Sequence, residues 1–309
     1  MPFTERQKEI MADIREIKSH IKGVEDTAKI TGAMYMIASS KMRRAKAELD
    51  KTRPYFDAVG VEIKRLFRIH EPIDNPYFYP VSGEHELPGA YGYLVITSDK
   101  GLAGFYNHGI IKKLEERMKE HEAKVYMVGG FGRKYCQLHG IALEDDFNET
   151  AENPTLRRAR MIADRLLSDY LAGRISKIYV IYTDLKNSVY QQAVDFRLLP
   201  FHRGDFDAGT VEKEITSPFE YYPSMEKVIE GMVRSYLSGY IYSCLVDSFC
   251  CEQSARMNAM DEANKNAAEI LSSLNLQYNH ARQWKITQEI TEISSGARAL
   301  KRKKARSNS

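Results

Sequence analysis

The chain of 309 residues lacks the motifs by which many enzymes are recognised. It contains no glycine-rich loop ending in Gly-Lys-Ser or Gly-Lys-Thr, which is the usual cradle for nucleotide phosphates. Its eight histidines include no pair at metal-binding helical spacing, and His85 is followed by Glu86 without the second histidine of a zinc protease. We therefore predict no catalytic residue, no metal and no cofactor.

Long apolar runs and a cysteine framework are also missing. No stretch approaches the ~20 apolar residues that cross a bilayer, and Met1 to Glu9 lacks the apolar core of a secretory signal. Four cysteines show neither metal-ligand nor disulfide spacing. They are Cys136, Cys244, Cys250 and Cys251. We expect the vicinal pair, Cys250 and Cys251, to be buried helix residues in a reducing compartment.

Composition indicates a folded protein with more than one structural part. Apolar residues make up 43% and charged residues 28% of the chain, and the net charge is only +3. A basic block at Lys301 to Lys304, with Arg306, is concealed within that small net value.

The N-terminal segment predicts one long helix with a coiled-coil seam. Its apolar positions alternate between spacings of three and four, the rhythm of a heptad repeat. At about 1.5 Å per residue this helix should extend roughly 60 Å before Pro54. The seam positions are Ile10, Ile14, Ile17, Ile21, Val24, Ala28, Thr31, Tyr35, Ala38, Met42, Ala45 and Leu49.

The C-terminal segment predicts a second amphipathic helix. Ile286, Ile290, Ile293 and Ala297 recur at spacings of four, three and four, so we expect them to form the opposite half of the seam. Polar side chains with little charge repulsion lie between them. Such a face suits reversible contact with a partner.

Between the helices, short strands alternate with helices. Segments rich in Val, Ile and Tyr predict strands at Tyr91 to Thr97, Lys124 to Val128 and Lys177 to Thr183, with an edge strand at Gln191 to Leu199. The intervening helices are predicted near Phe105 to Glu122, Phe131 to His139 and Pro154 to Gly173. This alternation favours a largely parallel sheet.

The predicted fold class is α+β, with a long antiparallel coiled coil of N- and C-terminal helices plus a central Rossmann-like α/β domain. We place the N-terminal helix at 1–70, the central domain with its joining loops at 71–220, and the C-terminal helix at 221–300. Residues 301–309 are expected to be a disordered basic tail. The natural joints are Glu71 to Pro88 and Phe201 to Tyr222.

Three segments carry a family resemblance. Asp26 to Ala45 resembles the N-terminal helix of the gamma subunit of F-type ATP synthases. Thr97 to Gly104, with the sequence TSDKGLAG, is similar to a Ser-Asp-basic-Gly-Leu motif of that family. Glu252 to Met260 and Tyr278 to Ala297 resemble its C-terminal signature. The three segments occur in the family's order and span nearly the whole chain.

The resemblance implies a non-catalytic rotor in the central stalk. In this family the coiled coil stands inside a ring of three alpha and three beta subunits, and the α/β domain contacts the epsilon subunit and the membrane c-ring. The delta subunit belongs to the same complex. A peripheral position on the cytoplasmic side of a bacterial plasma membrane is therefore expected.

The resemblance also suggests partner-contact residues. Gln283, Thr287, Glu289 and Thr291 match family positions that act as a polar catch for a beta-subunit loop. Met34, Lys41 and Arg43 match the facing positions of the N-terminal helix, where basic groups would meet an acidic loop. The alternative for both sets is a solvated helix face.

The chain departs from the family pattern at Gly32 and at its C-terminal tail. Gly32 replaces the lysine usual in the family, at a cost of about 1 kcal/mol relative to alanine in a helix. The basic tail extends past the usual family ending.

A nucleic-acid-binding scaffold would also use basic residues and long helices. However, the basic residues here are not interleaved with aromatics, so we expect no nucleic-acid partner.

Overall fold

The computed structural model describes residues 2–69, 75–79, 87–185, 191–202 and 221–307. The side chains of residues 2–13, 64, 66–69, 185, 191 and 299–307 are not described. Most of the two joining segments predicted from the sequence lies outside the described residues.

Two long helices begin and end the described chain. Helix α1 spans Pro2–Ile69 and helix α5 spans Met225–Ser307. Helix α1 continues through Pro54. Proline removes one N–H donor and crowds the preceding turn, but this local cost can be offset by packing on either side. Here Leu49 and Ile63, on either side of Pro54, are both buried.

The tail differs from its prediction. Helix α5 includes residues through Ser307, so the backbone of residues 301–307 is helical where the sequence had indicated disorder. Basic residues are favourable near a helix C-terminus because they interact with the negative end of the helix dipole. This effect provides a physical reason for the helix to continue into a basic segment.

The chain divides into two compact units, and the division falls inside both long helices. One unit contains Met1–Met36 and Met260–Ser309, and the other contains Ile37–Ala259. The sequence-based boundaries at residues 70 and 221 differ from this division. The C-terminal part of α1 and the N-terminal part of α5 group with the sheet, because their side chains contribute to the same hydrophobic core.

The sheet has four strands in the order β2-β1-β3-β4. Strands β1, β2 and β3 are Tyr91–Ile96, Ala123–Val128 and Lys177–Leu185, and they are mutually parallel. Strand β4, Gln191–Leu199, pairs antiparallel with β3 at the edge. The predicted strands and the largely parallel arrangement are confirmed.

Three shorter helices connect and cover the strands. Helix α2 spans Tyr106–Glu120, helix α3 spans Gly130–His139 and helix α4 spans Leu156–Leu171. Thr155 caps α4, since its hydroxyl accepts a 3.3 Å hydrogen bond from the backbone N–H of Arg158. All six residues of β1 are buried, as expected for a central strand covered on both faces.

In the unit that contains the sheet, α1 and α5 pack antiparallel. Phe56 lies against Gly239, and Cys250 lies near the backbone carbonyl of Met42. Residue numbers therefore increase along α1 as they decrease along the facing part of α5. In the other unit, the hydroxyl of Thr31 donates a hydrogen bond to the side-chain oxygen of Asn264.

The N-terminal seam is confirmed wherever its side chains are described. Ala38 and Leu49 are buried, and the other described seam positions are half-buried. The sequence could place this stripe correctly because it is the one regular apolar stripe on that part of α1.

The predicted C-terminal seam is wrong. Ile286, Ile290 and Ile293 are 43%, 62% and 74% exposed. The less exposed stripe of α5 follows a different register with the same spacing. It contains Ala267, Leu271, Leu274, Tyr278, Ala281, Lys285, Gln288 and Glu292. Heptad spacing defines a stripe but does not say which of two stripes faces the partner helix.

The four cysteines are free and buried, which confirms the burial predicted for Cys250 and Cys251. Burial raises the pKa of the Cys136 thiol to about 11 and that of Cys250 to about 12. These thiols are therefore protonated near neutral pH and poorly reactive.

Candidate functional site: helix surfaces and the carboxyl edge of the sheet

A line of polar side chains follows α5 in the unit formed by the chain ends. Gln283, Thr287 and Thr291 are exposed and lie four residues apart, which places them on the same side of the helix. Thr287 donates a 2.9 Å hydrogen bond to the backbone carbonyl of Gln283, and Thr291 donates a 2.8 Å bond to that of Thr287. These bonds orient the hydroxyls and leave their lone pairs available to accept from a partner.

Glu289 is also exposed, but it lies on another side of α5. Its carboxylate is 3.9 Å from the ammonium of Lys285, one turn earlier. A pair at this distance on the protein surface contributes little to stability. The carboxylate therefore remains free to interact with a partner at small cost.

The exposed isoleucines form an apolar stripe beside this polar line. Ile286, Ile290 and Ile293 recur at helical spacing and lie on the side of α5 opposite to its less exposed stripe. Consecutive large apolar side chains exposed on one face usually mark a protein contact. The sequence identified these residues but assigned them to the internal seam.

The predicted contact residues on α1 fall into different environments. Met34 is half-buried and belongs to the unit of the chain ends. Lys41 and Arg43 belong to the unit that contains the sheet. Arg43 is exposed, whereas the Lys41 ammonium lies 2.5 Å from the Glu152 carboxylate. The sequence did not indicate this internal pairing.

The TSDKGLAG segment forms the loop after β1, and hydrogen bonds connect this loop to the end of β2 and the start of α3. The hydroxyl of Thr97 donates a 2.9 Å hydrogen bond to the carbonyl of Val128 and accepts a 3.0 Å bond from the amide of Gly132. Gly129 has φ +98, and a Cβ there would approach the Thr97 carbonyl to 2.4 Å. Only glycine permits this close approach.

Asp99 ties three chain segments together at this edge of the sheet. One carboxylate oxygen accepts a 3.0 Å hydrogen bond from the amide of Gly130 at the start of α3. The other accepts from the hydroxyl of Thr150 and, at 2.8 Å, from the amide of Glu152. A carboxylate at a helix N-terminus is also favoured by the helix dipole.

Helix α5 contacts the same loop through Arg256. Its guanidinium lies 2.6 Å from the carboxylate of Glu252 and donates to the backbone carbonyls of Lys100 and Gly101 at 3.4 and 3.2 Å. Burial raises the pKa of Glu252, and the charge of Arg256 opposes that increase. The loop is thus held by α5 on one side and by Asp99 on the other.

Two large apolar side chains in this loop face solvent. Leu102 is 64% exposed with φ +62, and Phe105 is 91% exposed. Sequence reasoning recognised the segment but assigned no role to these residues, nor to Asp99, Glu152 or Arg256. Their position after β1 was the available signal, because functional loops gather at the carboxyl ends of parallel strands.

Within the described part of the chain, no three His, Cys, Asp or Glu side chains lie together in a way that could hold a metal ion. Among the same residues, no helix has a stretch both long and apolar enough to cross a bilayer.

The fold and its exposed surfaces are typical of a protein that binds other proteins through long helices. An antiparallel pair of long helices is joined to a four-stranded α/β domain, and its exposed polar and apolar stripes suit protein partners rather than a small substrate.

Comparison with known proteins identifies the family. The ATP synthase family model matches residues 13–300. The chain is 38% identical over 294 residues to the ATP synthase gamma chain of Caldicellulosiruptor saccharolyticus, covering 93% of this chain and 98% of that protein. It is 31% identical over 297 residues to the gamma chain of Psychrobacter sp., covering 94% and 100%. The chain therefore belongs to the ATP synthase gamma-chain family.

Solved structures share the fold at low sequence identity. The Euglena gracilis mitochondrial ATP synthase contains a chain that matches with a TM-score of 0.64 and 14% identity, covering 94% of this chain and 95% of that chain. A central-stalk chain of the Tetrahymena thermophila enzyme matches with a TM-score of 0.55 and 24% identity, covering 76% and 99%. These likenesses support the predicted fold class.

Proposed function

We propose that this chain is the rotor of the central stalk of an F-type ATP synthase, which couples ion translocation in the membrane sector to ATP synthesis or hydrolysis. Its partners are three alpha and three beta subunits, the epsilon subunit and the membrane c-ring, with delta in the same complex. The chain itself performs no catalysis. It is a peripheral protein on the cytoplasmic side of a bacterial plasma membrane.

The observation that carries this proposal is the exposed isoleucine stripe on α5 next to the polar line of Gln283, Thr287 and Thr291. An apolar stripe left uncovered in the single chain is stabilised when a partner removes it from water, at about 25 cal/mol per Å². The adjacent polar groups provide directional contacts that can be exchanged as the partner surface changes.

A rotor acts by differential contact. Three equivalent catalytic subunits around one asymmetric chain meet different surfaces, so each has a different conformational equilibrium. On this proposal Gln283, Thr287, Glu289 and Thr291 contact the hexamer from α5, and Met34 and Arg43 contact it from α1. The ammonium of Lys41, which the family resemblance also places at this contact, is paired with Glu152 within the chain. Leu102 and Phe105, which are exposed in the sheet-bearing unit, provide a separate apolar contact.

The nucleic-acid alternative has no structural support among the described residues. The exposed stripe is apolar, and the polar line beside it carries an amide and hydroxyls rather than cations. Phosphate recognition depends on clustered lysine and arginine.

Co-expression with alpha and beta subunits tests the proposal. Size-exclusion chromatography should show one copy of this chain per three-plus-three ring, and multisite ATPase activity should depend on its presence. Ile290→Asp should weaken that assembly, because a carboxylate would have to be desolvated at the contact. Gln277→Asp, at an exposed position on the opposite side of α5, is the matched control.

A chain that remains alone and binds DNA or RNA in a salt-dependent way would remove the rotor proposal. Equal effects of the two variants would remove the assignment of the isoleucine stripe, while leaving the family membership unaffected.

A further inference from the structure

We propose that Glu152 is a positioning residue, which fixes the sheet-bearing domain to helix α1 through its ion pair with Lys41 and thereby keeps rotation of the domain coupled to rotation of the helix. This role rests on the proposed rotor function. It also assigns Lys41 to an internal contact in place of an acidic loop on a partner.

The geometry of the pair distinguishes it from its neighbours. The Lys41 ammonium lies 2.5 Å from Oε1 of Glu152, and the two residues are separated by 111 positions in the chain. Other ion pairs along α1, such as Lys51 with Glu48, join residues three apart on the same helix. The Lys41–Glu152 pair therefore connects two parts of the fold rather than two turns of one helix.

The pair is charged in the folded protein. The hydrogen bond from Lys41 lowers the pKa of Glu152, although burial acts in the opposite direction. Side-chain exposure is 37% for Lys41 and 38% for Glu152. Because water screens such a pair, its contribution to global stability is small. A pair that adds little stability but links two structural parts is suited to a positional role.

Glu152 is rigidly connected to the sheet. Its backbone amide donates a 2.8 Å hydrogen bond to Asp99, and the same carboxylate of Asp99 accepts from Gly130 at the start of α3. Its backbone carbonyl accepts a 2.8 Å bond from the guanidinium of Arg158 on α4. Displacement of Lys41 is thus transmitted to β1, α3 and α4 through a short series of hydrogen bonds.

A second connection at the same loop comes from α5. Arg256 donates to the carbonyls of Lys100 and Gly101, which directly follow Asp99. The loop after β1 is therefore linked to α1 through Glu152 and to α5 directly. These two polar connections add directional contacts at one loop to the hydrophobic core that already joins both helices to the sheet through Leu49, Ile63 and Ile241.

The first experiment measures coupling in the complete enzyme reconstituted into vesicles. Glu152→Gln keeps the shape but removes the charge, and should lower ATP-driven ion pumping relative to ATP hydrolysis by about two- to fivefold. The double exchange Lys41→Glu with Glu152→Lys should restore much of that ratio. Glu48→Gln, which breaks an ion pair within α1, is the matched control and should leave the ratio unchanged.

The second experiment uses the full chain alone, so its result does not depend on assembly. Amide hydrogen exchange of Gly130 and Glu152, whose N–H groups are bound to Asp99, should be faster in Glu152→Gln and unchanged in Glu48→Gln. Faster exchange together with a lower pumping ratio supports the positioning role.

Three results would overturn the proposal. The first is equal pumping ratios in Glu152→Gln and Glu48→Gln. The second is a higher ratio in Glu152→Gln, which would mean that Glu152 withholds Lys41 from a partner. The third is unchanged exchange at Gly130 and Glu152. If the unmodified chain fails to join the hexamer, the rotor function fails, whereas the exchange experiment still decides whether Glu152 fixes the loop.

Discussion

The ring of Phe56 on α1 packs directly onto the backbone of Gly239 on α5. A Cβ at position 239 would lie 2.1 Å from Cδ1 of Phe56, far inside van der Waals contact. A side chain at position 239 therefore has no room against Phe56. The lack of one at Gly239 lets the two helices approach closely at this point of the sheet-bearing unit.

Gly239→Ala should destabilise the protein by about 1–3 kcal/mol, because the ring must move and the helices must separate to accept a methyl group. Urea unfolding followed by circular dichroism measures the change. Gly231→Ala is the matched control on the same helix, since no atom lies within 4 Å of its Cβ. The control should gain up to about 1 kcal/mol from helix propensity. Similar effects of both substitutions would contradict the packing argument.

Gly32→Ala should stabilise the unit formed by the chain ends. A Cβ at Gly32 would meet no atom within 4 Å, so the substitution adds helix propensity without a clash. The expected gain is about 0.5–1 kcal/mol. Hydrogen exchange of the amides around residue 32 is the most direct measurement, because it reports the local opening of α1. Faster exchange in the variant would indicate that the glycine is required for a contact or a bend.

Asp247→Asn should stabilise the protein above pH 6. Burial, with a smaller contribution from Asp184, raises the pKa of Asp247 to about 6, against the lowering effect of Arg53 and Lys46. The folded protein therefore binds this proton more tightly than the unfolded chain does. The resulting cost is absent below about pH 4, grows as pH rises to 6 and is constant above it. The expected difference between the two proteins at pH 8 is about 1–3 kcal/mol.

Asp195 provides a control of opposite sign for that pH dependence. Burial raises its pKa, but hydrogen bonds and charge from Lys113 and Arg117 outweigh burial and lower it. Asp195→Asn should therefore destabilise the protein at neutral pH, and the loss should disappear only at acidic pH. Urea unfolding from about pH 2 to pH 8 compares both variants with the unmodified chain, because the lowered pKa of Asp195 lies below its ordinary value of 3.8. Parallel pH profiles for the two substitutions would show that neither assignment holds.

Gln283→Ala combined with Thr287→Ala should weaken coupling or assembly with the alpha and beta subunits. The double substitution removes the amide and one hydroxyl of the polar line and leaves the α/β domain folded, because both side chains are exposed on α5. Ser273→Ala with Gln277→Ala, which has the same spacing on the same helix, is the matched control. Ion-driven ATP synthesis in membranes is the measurement. Unchanged synthesis in the first variant would remove the assignment of the polar line.

Local patterns were sufficient for most of the secondary structure. The four strands could be predicted because each is a short run of β-branched and aromatic residues between turn signals. The edge position predicted for Gln191–Leu199 is confirmed, because among the described strands this one pairs only with β3. Helix α1 continues through Pro54 because the effect of the proline on the backbone is local, whereas the helix is stabilised by packing at Leu49 and Ile63 on both sides.

The candidate site was predicted less completely. Gln283, Thr287 and Thr291 form an exposed line, which is compatible with the partner contact that the family resemblance implies. The ion pair of Lys41 with Glu152 could not be predicted, because it joins residues 111 positions apart through a loop with no recognisable pairing signal. The same applies to the hydrogen bonds of Asp99.

The sequence by itself determined the family, the succession of strands and helices along the chain, and the N-terminal seam from Ile14 to Leu49. Each of these depends on short-range pattern, which a linear chain displays directly. Only the tertiary structure decided which stripe of α5 is less exposed to solvent. Two stripes with equal heptad spacing are locally equivalent, so the choice is made by the side chains of a helix more than 200 residues away in the chain. That choice leaves Ile286, Ile290 and Ile293 exposed for a partner.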